Sequence, residues 1–217
     1  MKIVTWNILA QRYYKEIIYT WESRLHNIIT ILKSFDADII CLQEVEIASF
    51  SNDFKILIEN RYNFYGHEIF KKRKCPIGCF ILVKTNLEIK EVFSTSAAVI
   101  VNIPILGRIA NIHLRSGSKG KEDRERQLNS ILKYSPDIII GDFNDSSIQI
   151  DGYEKHNYKV TCFSKNRFGL FDNIYTRYNY IVLIDLQDIT SITEMPNNSN
   201  PSDHIPLYIT INKNEIL

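Results

Sequence analysis

Pro136-Asp137-Ile138-Ile139-Ile140-Gly141-Asp142-Phe143-Asn144-Asp145 is the stretch that decides between fold classes. Ile138 to Ile140 form an unbroken β-branched run, the pattern of a strand buried on both faces. Gly141 then lets the backbone turn, and Asp142 and Asn144 follow two apart. In extended backbone, residues i and i+2 point to one side. A carboxylate and a carboxamide are therefore expected to project together from the end of an apolar strand. That placement is costly unless something polar or charged meets them. Asp and Asn are also common turn residues, so the rest of the chain has to decide.

The 217 residues carry a net charge of +1, with 45% hydrophobic and 24% charged residues. This is an ordinary globular composition with enough apolar content for a sizeable core. No repeat, linker or composition break divides it, and residues 1–217 read as one domain. The near-neutral balance excludes a global pull on nucleic acid, so a polyanion site must be a local patch. Lys71-Lys72-Arg73-Lys74, which also fits a weak nuclear-targeting signal, and the segment from Arg115 to Arg126 are the candidates. The four cysteines, Cys41, Cys75, Cys79 and Cys162, make no disulfide framework for this length. Cys75 and Cys79 lack a second pair at zinc spacing. Reduced thiols point to an intracellular protein, cytoplasmic or nuclear. No apolar signal segment follows Met1, and no stretch reaches the length of a membrane span.

Working outward, Lys2 to Asn7 reads as a buried strand. Trp21, Leu25, Ile28, Ile29 and Leu32 fall on one helical face after the N-cap candidate Thr20. Asp38 to Leu42 returns to a strand, followed by Gln43-Glu44. Strand, helix and strand at this spacing predict a βαβ unit with parallel pairing. Phe50 to Ile58 is expected to be a second helix. Phe64–Phe70, Cys79–Val83, Leu87–Val92, Ala97–Ile105 and Arg108–Leu114 are expected as antiparallel strands. Leu128, Ile131 and Leu132 mark a further helix, Leu170 to Thr176 a strand containing Asp172, Tyr180 to Leu186 an apolar run, and Ile205 to Ile211 a last strand.

Asn7, Glu44, His113, Asp142, Asn144, Asp203 and His204 then stand at strand ends, with Asp172 inside a strand. Singly, each has an ordinary structural explanation as a turn residue, a helix cap or a satisfied histidine. Jointly they supply oxygen ligands, two imidazoles and spare carboxylates. Oxygen donors favour Mg²⁺, with Mn²⁺ as the alternative, over zinc or copper. Glu44 with Asn7 suits the sparse protein ligation of Mg²⁺. Asp142, steered by Asn144, suits a base for water attacking phosphorus. A cationic His204 would neutralise charge on non-bridging oxygens.

In that order, Thr5-Trp6-Asn7, Leu42-Gln43-Glu44, Asn111-Ile112-His113, Gly141-Asp142-Phe143-Asn144 and Ser202-Asp203-His204 resemble the motifs of the endonuclease/exonuclease/phosphatase superfamily. The resemblance spans Lys2 to Ile211. It implies an α/β fold, a four-layer α/β sandwich of the DNase-I-like kind, with two mixed sheets face to face and helices outside. It implies Mg²⁺-dependent hydrolysis of a phosphoester, with Glu44, Asn7 and Asp203 on the metal side. Asp142 would activate water, Asn144 orient it, His204 and His113 contact phosphate, and Asp172 orient His204.

Within the superfamily, Trp6 to Gln11, Trp21-Glu22-Ser23-Arg24, Ala37 to Glu46 and Asn200 to His204 are similar to the nocturnin and carbon-catabolite-repressor deadenylases. Leu114-Arg115-Ser116-Gly117 and Glu125-Arg126-Gln127 are instead similar to 5′-tyrosyl-DNA phosphodiesterases. Arg167 or Phe168 occupies the deadenylases' base-stacking position, and Arg115, Arg167 and Phe168 are the candidate substrate contacts. The expected activity is a deadenylase-like 3′ exoribonuclease, with RNA ahead of DNA as the nucleic-acid partner. The alternatives are 5′-tyrosyl-DNA or endonucleolytic end processing, a phosphoinositide or nucleotide phosphatase, and a catalytically inactive binding module.

Overall fold

The apolar runs become strands β1 (Lys2–Asn7), β2 (Ile39–Glu46), β3 (Tyr62–Ile69), β4 (Ile77–Lys84), β5 (Glu91–Thr95), β6 (Ala98–Ile103) and β7 (Gly107–His113). After them come β8 (Ile138–Asp142), β9 (Glu154–Lys155), β10 (Cys162–Ser164), β11 (Arg167–Gly169), β12 (Asp172–Thr176), β13 (Val182–Ile184) and β14 (Leu207–Ile211). The structure is a computed structural model and describes residues 1–14, 19–59, 61–69, 76–156, 160–164, 167–177, 182–184, 195–197 and 199–211. Among these, β13-β14-β1-β2-β4-β3 form one six-stranded sheet and β5-β6-β7-β8-β12-β9 another, with β10-β11 as a hairpin. Each large sheet has one parallel pair, β1 with β2 and β7 with β8. The first pair is joined by α1 (Trp21–Phe35), the expected βαβ unit. Thr20 caps α1, its side chain accepting from the Ser23 amide.

Alternation along the strands sorts side chains into layers. Ile3, Cys41, Cys79 and Ile81 of the first sheet meet Val99, Val101, Ile109, Ile138 and Ile174 of the second in the central core. The other face of the first sheet, with Val4, Trp6, Ile40 and Leu42, packs on Ile28 and Leu32 of α1 and on Phe50 and Phe54. The outer face of the second sheet packs on Ile131. Helix, sheet, sheet, helix is the expected four-layer α/β sandwich. Each fully buried Ile or Leu contributes roughly 1.5–3 kcal/mol. Three such clusters leave room for a polar edge.

The differences are local. Phe50 to Ile58 is two short helical segments, α2 (Phe50–Asp53) and α3 (Lys55–Ile58), interrupted at Phe54. The last major helix is α4 (Lys121–Leu132). Leu87 sits in a turn, its amide donating to the Lys84 carbonyl, and that strand begins only at Glu91. The strand carrying Asp172 starts at Asp172, where the Phe171 amide donates to the Thr161 hydroxyl rather than to β8. Gly141 is a strand residue rather than a turn. Its φ is +138°, and a Cβ there would lie 2.2 Å from the Ile112 carbonyl oxygen, so close passage of β7 requires glycine. Lys71 to Lys74 and Cys75 lie outside the described residues. Among the described residues no helix is long and apolar enough to cross a membrane.

Candidate active site

On the inner faces the rows change from apolar to polar at one edge: Ile3, Thr5, Asn7 on β1; Ile39, Cys41, Gln43 on β2; Ile109, Asn111, His113 on β7; Ile138, Ile140, Asp142 on β8. Two parallel pairs, one in each sheet, bring these ends together. His113, Asp142 and Asp172 are direct ladder neighbours across β7, β8 and β12.

Glu44 reaches this edge by a different route. Leu42 pairs with Phe80 and Val45 with Gly78, so Gln43 and Glu44 stand opposite Cys79 alone. This is a β-bulge, a device that re-aims a side chain. Leu42 and Val45 both pack in the outer cluster although three apart. The extra residue, Glu44, has φ of +57° and turns its carboxylate toward Asn7. Regular alternation would have sent it outward.

The Asn7 amide nitrogen donates to Glu44 Oε1 at 3.2 Å and to Asp142 Oδ2 at 2.9 Å. Its oxygen accepts from the Leu9 amide. Asp142 Oδ2 also lies 3.6 Å from His113 Nε2 and 3.9 Å from His204 Nε2. Asp142 Oδ1 accepts from the Asn144 amide at 2.8 Å. Asn144 is left-handed, with φ of +54°, and its side chain donates to the Leu114 carbonyl. The extended i, i+2 projection expected for Asp142 and Asn144 is thus replaced by a turn, in which Asn144 holds Asp142 through its backbone.

His204 Nδ1 lies 2.7 Å from Asp172 Oδ2, and both residues are buried. Burial opposes charge on His204, but the Asp172 carboxylate and Cys162 hold its pKa well above the ordinary value. Burial also raises Asp172, while His204 pulls it down. The two shifts describe one proton held between them. The loop before His204 is anchored by Ser202, whose hydroxyl donates to the Asn7 carbonyl at 2.6 Å, and by Trp6, whose indole donates to the His204 carbonyl. Arg24 of α1 donates to the carbonyls of Ile8, Leu9 and Pro201, tying that loop to the end of β1.

Burial raises the Glu44 carboxyl; His113 and His204 lower it, and Asp203 raises it further. Buried carboxylates facing one another are the donor chemistry of a hard divalent cation, so these residues fit one. Among the described residues, two groups have ligand atoms within 4.8 Å of one another, Asp142 with Asp172 and His204, and Cys162 with Asp203 and His204. Glu44 belongs to neither and faces Asp142 across Asn7.

The structure brings together Asn7, Glu44, His113, Asp142, Asp172 and His204, with Asn144 and Asp203 at the margin. Arg115 is exposed and lines a separate pocket with Ser96, Arg126 and Gln127. Arg167 and Phe168 are on β11, but their side chains lie outside what the structure describes. Sequence reasoning assigned no role to Gln43, Asn111, Ser202 or Arg24. The available signal was a polar residue inside an apolar strand row, as at Asn111.

The profile of the Endonuclease/Exonuclease/phosphatase family matches residues 4–204. Protein angel homolog 2 of Mus musculus is 28% identical over 92 residues, 38% of this chain and 17% of that protein. Carbon catabolite repressor protein 4 homolog 4 of Arabidopsis thaliana is 40% identical over 53 residues, 21% of this chain and 13% of that protein. The matches therefore span only a small part of these curated relatives. Among solved structures, ANGEL2, a 2′,3′-cyclic phosphatase bound to adenosine-2′,3′-vanadate, superposes with a TM-score of 0.77 at 17% identity, covering 96% of this chain and 94% of that one. The human Nocturnin catalytic domain gives 0.71 at 20% identity, covering 98% and 94%. TDP2 of D. rerio with a single-strand DNA product gives 0.72 at 18%, covering 98% of each. These likenesses bear on the fold. With its profile running nearly end to end, the chain belongs to the endonuclease/exonuclease/phosphatase family.

Proposed function

We propose that this chain, acting as one catalytic unit, is a Mg²⁺-dependent phosphoesterase that works at the 3′ end of RNA. The observation that carries this is the continuous line Asp172–His204–Asp142–Asn7–Glu44 across the sheet edge. Glu44 would hold the cation, with Asn7 orienting Glu44 and Asp203 supporting it. Mg²⁺ bound there would supply Lewis-acid polarisation of the phosphoryl group. Asp142 takes the proton of the attacking water, because Asn7 and the Asn144 amide fix both its oxygens. His204, kept charged by Asp172, neutralises charge on the phosphoryl oxygens, and His113 adds a second contact. Free buried thiols at Cys41, Cys79 and Cys162 support an intracellular setting.

Stepwise removal of 3′ adenylates is the first substrate reading, supported by the short match to the carbon catabolite repressor homolog. A terminal 2′,3′-cyclic phosphate is the second, supported by the matches to angel homolog 2. Three substrates presented side by side separate them: 5′-labelled RNA ending in adenylates, the same RNA ending in a 2′,3′-cyclic phosphate, and 5′-tyrosyl DNA. A ladder shortening from the 3′ end, abolished by EDTA, supports the first reading. Opening of the cyclic phosphate without shortening supports the second. Turnover of the tyrosyl DNA alone would refute both.

A further inference from the structure

Glu44 occupies left-handed backbone on a bulge, a conformation that persists only where its surroundings over-determine it. The over-determining contact comes from the opposite sheet. The Asn111 side-chain amide, on β7, donates to the Leu42 carbonyl at 2.9 Å and to the Phe80 carbonyl at 2.8 Å. Leu42 and Phe80 are the last regular ladder pair before the bulge. The Asn111 oxygen accepts from Gln43 Nε2 at 2.6 Å, and the same nitrogen donates to Thr5 Oγ1 at 2.9 Å. Asn111 and Gln43 are wholly buried between the sheets.

We propose that Asn111 is the positioning residue for Glu44, clamping the mouth of the β2 bulge from across the sandwich. Asn111 shares the inner face of β7 with His113, two residues on, and Gln43 immediately precedes Glu44. One carboxamide pair thus couples the sheet that carries Glu44 to the sheet that carries His113 and Asp142. It sets their separation independently of the cation. An apolar side chain at position 111 would fill the core but leave the bulge unheld. The consequence for cation affinity rests on the reading of Glu44 as the cation's ligand; the clamp itself does not.

The test uses the full chain with two readouts. Hydrogen exchange of the metal-free protein follows the amides of β2. Electron paramagnetic resonance of added Mn²⁺ follows cation binding directly. Asn111→Asp keeps the acceptor for Gln43 and removes both donors. Ile100→Ala, a cavity in the outer layer of the second sheet, controls for general destabilisation. The expected result for Asn111→Asp is faster exchange at Gln43 to Val45 than at Ile39 to Cys41, and Mn²⁺ affinity weaker by about 10–100-fold. Ile100→Ala should leave the ratio of exchange and the Mn²⁺ affinity at wild-type values. Wild-type exchange at the bulge in a folded Asn111→Asp protein overturns the proposal. If the wild type binds no Mn²⁺, the cation reading fails and the exchange ratio alone decides the clamp. If Asn111→Asp does not fold, Asn111→Ala carries the same readouts and the same criteria.

Discussion

His204 and Asp172 share a buried hydrogen bond of 2.7 Å between Nδ1 and Oδ2, at the junction of β12 and the loop that precedes the last strand. The partnership directs Nε2 toward Asp142. Replacing Asp172 with Asn removes the charge that holds His204 protonated. Turnover is expected to fall by about 10²–10³-fold, the scale of losing one charge-stabilising donor. The sign follows from the shift. The pKa of His204 is raised, so its charge and the stability it lends are complete below the ordinary histidine value. Both are lost as pH rises through the raised value. In Asp172→Asn the alkaline limb of kcat/KM should therefore move to lower pH, which a pH–rate profile and the imidazole NMR titration would check.

Ser202 joins the His204 loop to β1, donating to the Asn7 carbonyl and accepting from the His204 amide. Ser202→Ala is expected to cost about 1–3 kcal/mol, because the buried Asn7 carbonyl loses its side-chain donor. Urea unfolding measures the stability, and turnover should drop with the fold retained. Unchanged stability and turnover would show that Trp6 and Arg24 hold the loop without Ser202.

Arg24 serves three carbonyls at once and is almost wholly buried. Arg24→Lys keeps the charge but cannot fork to Ile8, Leu9 and Pro201 together. A loss of about 2–4 kcal/mol is expected from the missing charged hydrogen bonds. Catalysis should fall with it, since the same carbonyls flank Asn7 and Asp203. Denaturation and kcat measured on one preparation test both parts.

Gly141→Ala adds a methyl where the Ile112 carbonyl already stands, in backbone that alanine rarely adopts. Strain and overpacking together should cost about 2–5 kcal/mol. A drop in the urea midpoint is the expected observation, and a fully stable variant would contradict the close approach of β7 and β8.

Much of this was legible in the chain because local pattern and tertiary role agree. The β-branched runs Ile39-Ile40 and Ile138 to Ile140 become buried strands, and α1 starts at the Thr20 cap. Polar residues at strand ends do converge, since parallel pairing in each sheet aligns those ends. Glu44 was expected just past a strand ending at Leu42; β2 instead runs on to Glu46, and the direction of Glu44 depends on a bulge clamped by Asn111 from the other sheet, a contact 69 residues away through Leu42. Asn144 failed the extended-strand expectation because its backbone bonds locally to Asp142. The helix expected over Phe50 to Ile58 is interrupted at Phe54, whose ring stacks on Phe50 in the cluster under the first sheet. The bulge is set by a partner distant in the chain, whereas the Asn144 turn is a local bond that an extended pattern does not show.

If buried oxygen groups at one sheet edge gather around a divalent cation held by Glu44 and act on a phosphoester through Asp142, hydrolysis requires that cation and both side chains. The most direct measurement is the initial rate of hydrolysis of the adenylate-ended and cyclic-phosphate-ended RNAs across a Mg²⁺ titration, for wild type, Glu44→Gln and Asp142→Asn. The rate should saturate with Mg²⁺ in the wild type and vanish with EDTA. Glu44→Gln should raise the half-saturating Mg²⁺ by about 10-fold or more, and Asp142→Asn should abolish turnover while the protein still binds the cation. Turnover that survives EDTA, or that both substitutions leave intact, would contradict the account.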